Sequence, residues 1–137
     1  MTSEFVIAVH AIVFLNHNAK TMTSEEIAEN VCTNPARIRK VMAKLKKADL
    51  IDAKEGSRKG GYTFHLDPEK LDLLTVFDAV DEKIISPSWR SGDPDMECLI
   101  ASGMADVMDG IFSRMDQQCK DNLKKITIAD VDKMIFK

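Results

Sequence analysis

One short segment of the chain concentrates positive charge that could bind phosphate. Between Thr33 and about Lys47 the sequence places six cations and no carboxylate: Arg37, Arg39, Lys40, Lys44, Lys46 and Lys47. Guanidinium and ammonium groups form charge-assisted hydrogen bonds with phosphate oxygens. The segment therefore favours binding of a polyanion, although the same cations could simply solvate a surface helix.

Cysteine is the second residue type that could do chemistry. Cys32 immediately precedes the basic segment, Cys98 lies in the second half, and Cys119 follows it. A helix N-terminus and the nearby Arg37 and Arg39 would favour the thiolate form of Cys32, which is the reactive form. The alternative is that Cys32 is a small packing residue in a turn. The wide spacing argues against a disulfide framework or a structural zinc site.

The basic segment has the pattern of an amphipathic helix. Ile38, Val41, Met42 and Leu45 fall on one narrow arc at 100° per residue. The opposite arc carries two small residues among the cations: Ala36, Lys40, Ala43 and Lys47. Small side chains let a helix approach the floor of a DNA groove while flanking cations reach phosphates. A protein-binding surface would instead show exposed aromatic residues or leucines.

A glycine-rich hairpin follows this helix. Residues 50–54 and 61–66 have the composition of two short strands, and residues 55–60 form the turn between them. Gly60 and Gly61 permit positive φ and close backbone approach. Arg58 and Lys59 would project from the tip, where a basic loop can enter a narrow minor groove. By itself, the pair of glycines also fits an ordinary hairpin.

Further helices complete the predicted fold. Helices are expected over residues 4–17, after Thr23, over 69–81, over 96–122 and over about 128–135, with Thr33 as the N-cap of the basic helix. Pro87, Gly92 and Pro94 mark a loop around Trp89, which either covers a small effector pocket or closes the core. At 1.5 Å per residue the helix over 96–122 spans roughly 40 Å, which favours packing against a second copy.

The predicted fold class is mostly α with a small β-hairpin wing. Residues 1–82 are expected to form a winged helix-turn-helix domain, 83–95 a loop, and 96–137 a dimerisation helix and a C-terminal helix. A chain of 137 residues fits one domain with a small appendage. No signal peptide or membrane span is evident, so a cytoplasmic protein without membrane association is expected.

The net charge of −3 conceals an asymmetry. Residues 1–65 hold 10 basic and 7 acidic residues, a net charge of +3, and residues 66–137 hold 9 and 15, a net charge of −6. An acidic protein with one basic face is compatible with DNA binding, because only the docking face must be positive. No nucleophile–base pair, paired carboxylates or phosphate loop is evident, so an enzyme is not expected.

Several segments together resemble the Rrf2 family of bacterial winged helix-turn-helix transcriptional regulators. They are residues 27–29, 38–45, 50–51, the wing at 56–64, and residues 73–80. The resemblance covers essentially the whole chain. It implies a homodimer, usually a repressor, that binds pseudo-palindromic double-stranded DNA with the third helix in the major groove and the wing in the minor groove. The expected DNA-contacting residues are Thr33, Asn34, Ala36, Arg37, Arg39, Lys40, Lys44, Arg58, Lys59, Gly60, Gly61 and Tyr62.

The cysteines depart from the pattern of the cluster-binding family members. Those members group three cysteines in the loop and the start of the long helix, where this chain has Cys98 alone, with Cys119 about six turns further on. No iron–sulfur cluster or other cofactor is therefore expected, and the chain is similar to the cluster-free, thiol-sensing type. An inter-subunit disulfide between Cys32 and Cys98 could then fix the spacing of the two DNA-binding domains. Control by a small effector or a partner protein is the alternative.

Overall fold

The computed structural model of the protein describes residues 3–54, 60–81, 83–85 and 89–137. Its described elements are α1 (Ser3–Asn18), α2 (Ser24–Val31), α3 (Pro35–Lys47), β1 (Asp52–Lys54), β2 (Gly61–Thr63), α4 (Leu73–Val80), α5 (Leu99–Lys124) and α6 (Ile128–Ile135). The predicted fold class, mostly helical with a small hairpin, is confirmed. None of the described helices combines the length and the hydropathy that a membrane-spanning segment requires.

Helix α1 forms the centre of the core because it is apolar around most of its circumference. It packs against α2, α3, α4 and α6. Its Ala8, Ala11 and Ile12 are completely buried, and the ring of Phe5 meets Phe77 of α4 edge to face at 5.5 Å. Burial of each large apolar side chain contributes about 1.5–3 kcal/mol, so α1 is the main hydrophobic support of the domain.

Helices α2 and α3 form the helix-turn-helix. The side chain of Thr23 accepts a hydrogen bond from Glu26 N, and the Glu26 carboxylate accepts one from Thr23 N, which is the capping box predicted from sequence. The four residues predicted to face inward from α3 are all buried. The predicted N-cap of α3, Thr33, is wrong. Asn34 caps the helix through a 2.9 Å hydrogen bond from Arg37 N, because Pro35 already occupies the first helical turn.

The wing is a short antiparallel hairpin. Asp52, Ala53 and Lys54 pair with Thr63, Tyr62 and Gly61, respectively. Both strands are shorter than predicted, because Leu50 and Ile51 are buried in the core before β1 begins and residues after Thr63 leave the ladder. The predicted wing-tip residues Arg58 and Lys59 lie outside the described residues.

Helix α4 begins four residues later than its pattern predicts. Residues 71–73 run alongside the segment before α6. The N–H of Leu73 donates to Ile126 O at 2.8 Å, and the N–H of Ile128 donates to Leu71 O at 2.9 Å. Asp72 then caps α4 by accepting a hydrogen bond from Thr75 N. These pairings hold the backbone extended, so the helix cannot start at residue 69.

Helix α5 is the long helix, and it begins at Leu99 because Met96 lies in a turn, with its N–H donating to Asp93 O. It packs against α4, and Asp116 accepts hydrogen bonds from the N–H groups of Ile84 and Ile85 at 2.8 and 2.9 Å. All of α5 is described, and none of its residues is buried. Helix α6 has the predicted capping box between Thr127 and Asp130 and packs against α1.

Candidate nucleic-acid interface

The outward surface of α3 is the most distinctive charged surface among the described residues. Ala36, Lys40, Ala43 and Lys47 are all exposed, as the helical pattern predicts. The alanines leave the helix backbone accessible, while the lysines stand on either side. A groove can therefore receive this helix closely without displacing large side chains.

One side of this surface is covered by the start of α1. Nζ of Lys44 lies 2.5 Å from Oε2 of Glu4, and Nζ of Lys40 lies 3.3 Å from Oε1 of the same carboxylate. Nη2 of Arg37 donates to Ser3 Oγ at 2.6 Å. The hydrogen bond from Lys44, and further contributions from Lys40, outweigh burial and lower the pKa of the Glu4 carboxyl. Three cations predicted to contact DNA thus already have partners at the first turn of α1.

The other side of α3 forms a groove with the wing. The groove has a volume of about 440 Å³ and is lined by residues of α2, α3 and both strands, including Arg39, Lys46, Lys54, Gly60 and Tyr62. Nη1 of Arg39 donates to Ser24 Oγ at 3.4 Å and lies 4.0 Å from the Glu25 carboxylate. The groove brings three cations together with exposed backbone, so it can follow a phosphodiester strand.

The wing is held to the helix-turn-helix by backbone pairing. The N–H of Tyr62 donates to Met22 O, and the N–H of Met22 donates to Tyr62 O. Gly61 has a φ of +152°, and an added Cβ there would lie 2.5 Å from Met22 O. Burial raises the pKa of the Tyr62 hydroxyl. Gly61 and Tyr62 therefore hold the hairpin against the segment before α2.

The turn between α2 and α3 contains the remaining predicted site residues. Thr33 is partly buried, and its Oγ1 accepts a 3.5 Å hydrogen bond from Nη1 of Arg37. The side chain of Asn34 is engaged in capping α3. The structure thus brings Thr33, Asn34, Ala36, Arg37 and Lys40 to one end and one face of α3.

Several residues at this surface could not be found by sequence reasoning. Glu4 lies 40 positions before Lys44, so no local pattern links them. Ser24 and Lys54 come to the groove from α2 and β1, since the bridge at Met22 folds the wing back onto α2. Their only sequence signal was polarity at the boundary of an element.

Cys32 and Cys98 lie in different local environments. Cys32 is exposed, ends α2 in a left-handed conformation with φ of 65°, and its thiol donates to Glu29 O at 3.7 Å. Cys98 is exposed at the N-cap of α5. The N–H groups of Ala101 and Ile100 lower the pKa of its thiol, although its sulfur forms no full capping hydrogen bond. Cys32 thus lies at the carboxyl end of a helix as well as before the next one.

Trp89 does not close the core. Its side chain is 78% exposed and lines a cavity of about 200 Å³ with residues of α5. The neighbouring Arg90 forms ion pairs with Asp106, at 3.2 Å, and with Asp109. Of the two roles expected for Trp89, closure of the core is wrong, because the ion pairs of Arg90 hold the loop along the outside of α5.

A larger, mostly apolar groove lies between α1 and α6. It has a volume of about 640 Å³ and is bordered by Val6, Val9 and Ile135, among others. Two of the histidines at this groove have partners: Nε2 of His10 lies 2.7 Å from Asn30 Oδ1, and the ring of His17 stacks on Phe136. These contacts hold both rings within the packing around α1.

Comparison with known proteins agrees with this architecture. The profile of the Rrf2 family, described as "Iron-dependent Transcriptional regulator", matches residues 1–133. YwnA of Bacillus subtilis (strain 168), which carries the name of an HTH-type transcriptional regulator, is 27% identical over 136 residues, or 99% of each chain.

Solved structures show the same fold. A transcriptional-regulator structure from Lactobacillus plantarum has a TM-score of 0.85 and 25% identity, over 98% of this chain and 91% of that one. CymR, the global cysteine regulator of B. subtilis, has a TM-score of 0.70 and 15% identity, over 98% and 96%. The proteins similar to this chain are regulators and not enzymes. The helix-turn-helix, the hairpin, the long helix and the full-length profile match together establish that the chain belongs to the Rrf2 family of transcriptional regulators.

Proposed function

We propose that the protein binds pseudo-palindromic double-stranded DNA as a homodimer and represses transcription. Helix α3 enters the major groove, and the wing lies against the minor groove or its bordering phosphates. The observation that carries the proposal is the exposed face of α3, where Ala36 and Ala43 lie between cations and beside the basic groove of the wing. A protein-binding surface would present exposed aromatic residues or leucines there, and the outward face of α3 presents alanines and cations instead.

The apolar stripe on α5 supports the dimer. Leu99 is 86% exposed and Ile100 is 72% exposed, and Met104, Val107 and Met115 are also exposed. A helix of 26 residues is about 39 Å long, yet in the single chain it packs mainly against α4. A second copy that covers this stripe would remove the apolar surface from water and relate two α3 helices by a two-fold axis.

A mobility-shift experiment tests DNA binding. A duplex from upstream of the protein's own gene is expected to bind more tightly than a scrambled duplex of the same length and composition. Light scattering after size exclusion should give the mass of two chains. Equal affinity for both duplexes would contradict an operator at that site, and a monomer that binds DNA specifically would contradict the dimer.

The residues do not fit a metal cluster held within one chain. The family description names iron, and thiolates that share a cluster must converge at one point. Cys98 and Cys119 are separated by 21 positions along α5, or about 30 Å, and Cys32 ends α2. Among the residues that the structure describes, no group of three His, Cys, Asp or Glu could hold a metal ion. We therefore propose regulation without a cluster.

Thiol oxidation is the form of regulation that the cysteines favour. In the proposed switch, an oxidant such as hypochlorite or diamide takes two electrons and two protons from Cys32 of one copy and Cys98 of the other, and a sulfur–sulfur bond forms. Both thiols are exposed, and the N–H groups of Ala101 and Ile100 lower the pKa of the Cys98 thiol, which favours its thiolate form. The bond would fix the separation of the two α3 helices.

Oxidation before the mobility shift distinguishes this switch from its alternative. The redox proposal expects loss of binding, a dimer-sized band on non-reducing gels, and recovery with dithiothreitol. It also expects Cys32→Ser and Cys98→Ser each to abolish all three effects. DNA binding that is unchanged after oxidation would favour regulation by a small effector or a partner protein. The cavity beside Trp89 is the candidate site for a small effector.

A further inference from the structure

We propose that Glu4 competes with DNA phosphates for Lys44 and Lys40, and thereby limits how tightly the protein binds DNA. The inference rests on the proposed DNA binding by α3, and it assigns a function to a residue of α1 that lies outside the helix-turn-helix. Glu4 acts here as an internal counter-charge, which lowers affinity without contacting any base.

The geometry gives each lysine one oxygen of the carboxylate. Oε2 of Glu4 lies 2.5 Å from Nζ of Lys44, and Oε1 lies 3.3 Å from Nζ of Lys40. The side chain of Glu4 is only 20% exposed, whereas that of Lys40 is 69% exposed. Lys40 therefore reaches the solvent, Lys44 is partly covered at 40% exposure, and the carboxylate lies beneath both lysines.

The backbone around Glu4 holds the carboxylate in this position. The next residue, Phe5, is buried and packs against Phe77. On the other side, Ser3 accepts the hydrogen bond from Arg37 of α3. The backbone at Glu4 therefore cannot move away from α3 without disturbing one of these contacts, which keeps the carboxylate within reach of both lysines. Binding of a phosphate therefore requires the lysines to leave or share an acceptor that stays nearby.

The negative charge of Glu4 determines that this residue lowers the affinity for DNA. The Glu4 carboxyl is ionised at neutral pH, as an ordinary glutamate is, and the interactions with Lys44 and Lys40 lower its pKa further. The three groups together carry a net charge of +1 in place of the +2 that two free lysines would bring. A carboxylate close to a bound phosphate also repels it. Glu4 therefore cancels about one of the two positive charges with which Lys40 and Lys44 would displace counterions from DNA.

The salt dependence of non-specific DNA binding reports the net charge of this surface, because non-specific binding depends on phosphates and not on base sequence. The probe is a fluorescent duplex of random sequence, with anisotropy recorded over a range of salt concentrations. Glu4→Gln keeps the shape of the side chain and removes the charge. We expect the slope of log K against log salt to steepen by about 0.9, and affinity at ~0.1 M salt to rise about eightfold.

Two further variants make the test specific. Glu69→Gln removes the same charge at a site where the carboxylate lies 4.0 Å from Lys133 of α6, away from α3. We expect a much smaller gain from this control. Adding Lys44→Met to Glu4→Gln should cancel most of the gain, since Lys44 is the nearer partner.

The outcomes separate the inference from the proposed function. If the wild-type protein fails to bind any duplex, the proposed DNA binding is wrong. If it binds but Glu4→Gln binds equally or less tightly with the same slope, the competition is wrong, and Glu4 instead orients the lysines. Thermal melting checks that Glu4→Gln is folded. If it is not, Glu4→Asp, which withdraws the carboxylate by one methylene, must bind more tightly than wild type or the inference is overturned.

Discussion

The backbones of Met22 and Tyr62 exchange two hydrogen bonds, of 2.8 and 3.0 Å, across 40 positions of sequence. Met22 directly precedes Thr23, the N-cap of α2, and Tyr62 lies in the centre of β2. This bridge makes the segment before α2 a third partner of the hairpin. These backbone hydrogen bonds therefore hold the wing in a defined position relative to the helix-turn-helix.

Replacement of Gly61 should disrupt this bridge. In Gly61→Ala the new Cβ would lie 2.5 Å from Met22 O, at a φ that L-residues rarely adopt. We expect the free energy of unfolding to fall by roughly 1–3 kcal/mol, and DNA affinity to fall because the wing shifts. Urea denaturation measures the first effect. Gly110→Ala is the control, since nothing lies within 4 Å of its added Cβ in the single chain and a helical alanine should be neutral or stabilising.

Asp116 should couple the segment at residues 84–85 to α5. Asp116→Ala removes the acceptor of two backbone hydrogen bonds, and we expect a loss of roughly 1–3 kcal/mol of stability. Asp116→Asn, which keeps an acceptor oxygen, should lose less. The control is Asp121→Ala on the same helix, because the Asp121 carboxylate accepts its hydrogen bond from the side chain of Gln117. Equal losses from Asp116→Ala and Asp121→Ala would contradict a specific role.

The same carboxyl should make stability depend on pH. The backbone N–H of Ile85 is the largest of the favourable influences that lower the pKa of Asp116, with contributions from Ile84 and Lys120. A carboxyl whose pKa is lowered by folding stabilises the native state above its unfolded pKa. That contribution is complete above ~pH 5 and is lost as the pH falls through the folded pKa. Asp116→Asn should flatten the stability profile in this acidic range, and an unchanged profile would exclude the effect.

Replacement of Lys40 should weaken binding to all DNA sequences similarly. Lys40 is exposed on the outward face of α3 and is expected to contact phosphate. Lys40→Met should therefore reduce the magnitude of the salt slope by about one and leave the ratio of specific to non-specific affinity nearly constant. Anisotropy titrations with both duplexes measure this. Lys133→Met, on α6, is the matched control, and an unchanged slope for Lys40→Met would remove this residue from the interface.

Cys98 should react with iodoacetamide faster than Cys119 at neutral pH. The thiol of Cys98 is exposed, and the N–H groups of Ala101 and Ile100 lower its pKa, so a larger fraction is thiolate. Cys119 is half-buried on α5. Mass spectrometry of timed reactions would give both rates, with Cys98→Ser as the control for peptide assignment. A slower rate for Cys98 than for Cys119 would contradict the proposal that Cys98 is the more reactive thiol of a redox switch.

Local sequence patterns alone were sufficient to predict much of the fold. The buried face of α3, the capping boxes at Thr23 and Thr127, and the positive-φ glycine of the wing all follow from residues within a few positions of one another. Helical periodicity, cap chemistry and glycine geometry operate over that range, which is why they can be read from sequence. The same is true of the basic outward face of α3, whereas the family resemblance depends on several such segments taken together.

Only the tertiary structure decided how that face is surrounded. The start of α4 at Leu73 depends on pairing with residues before α6, and the exposure of Trp89 depends on the ion pairs of Arg90 with α5. The contact of Glu4 with Lys44 likewise joins two helices whose separation in sequence carries no signal. The sequence determined which residues carry charge, and packing of α1 against α3 determined which of those charges already have a partner.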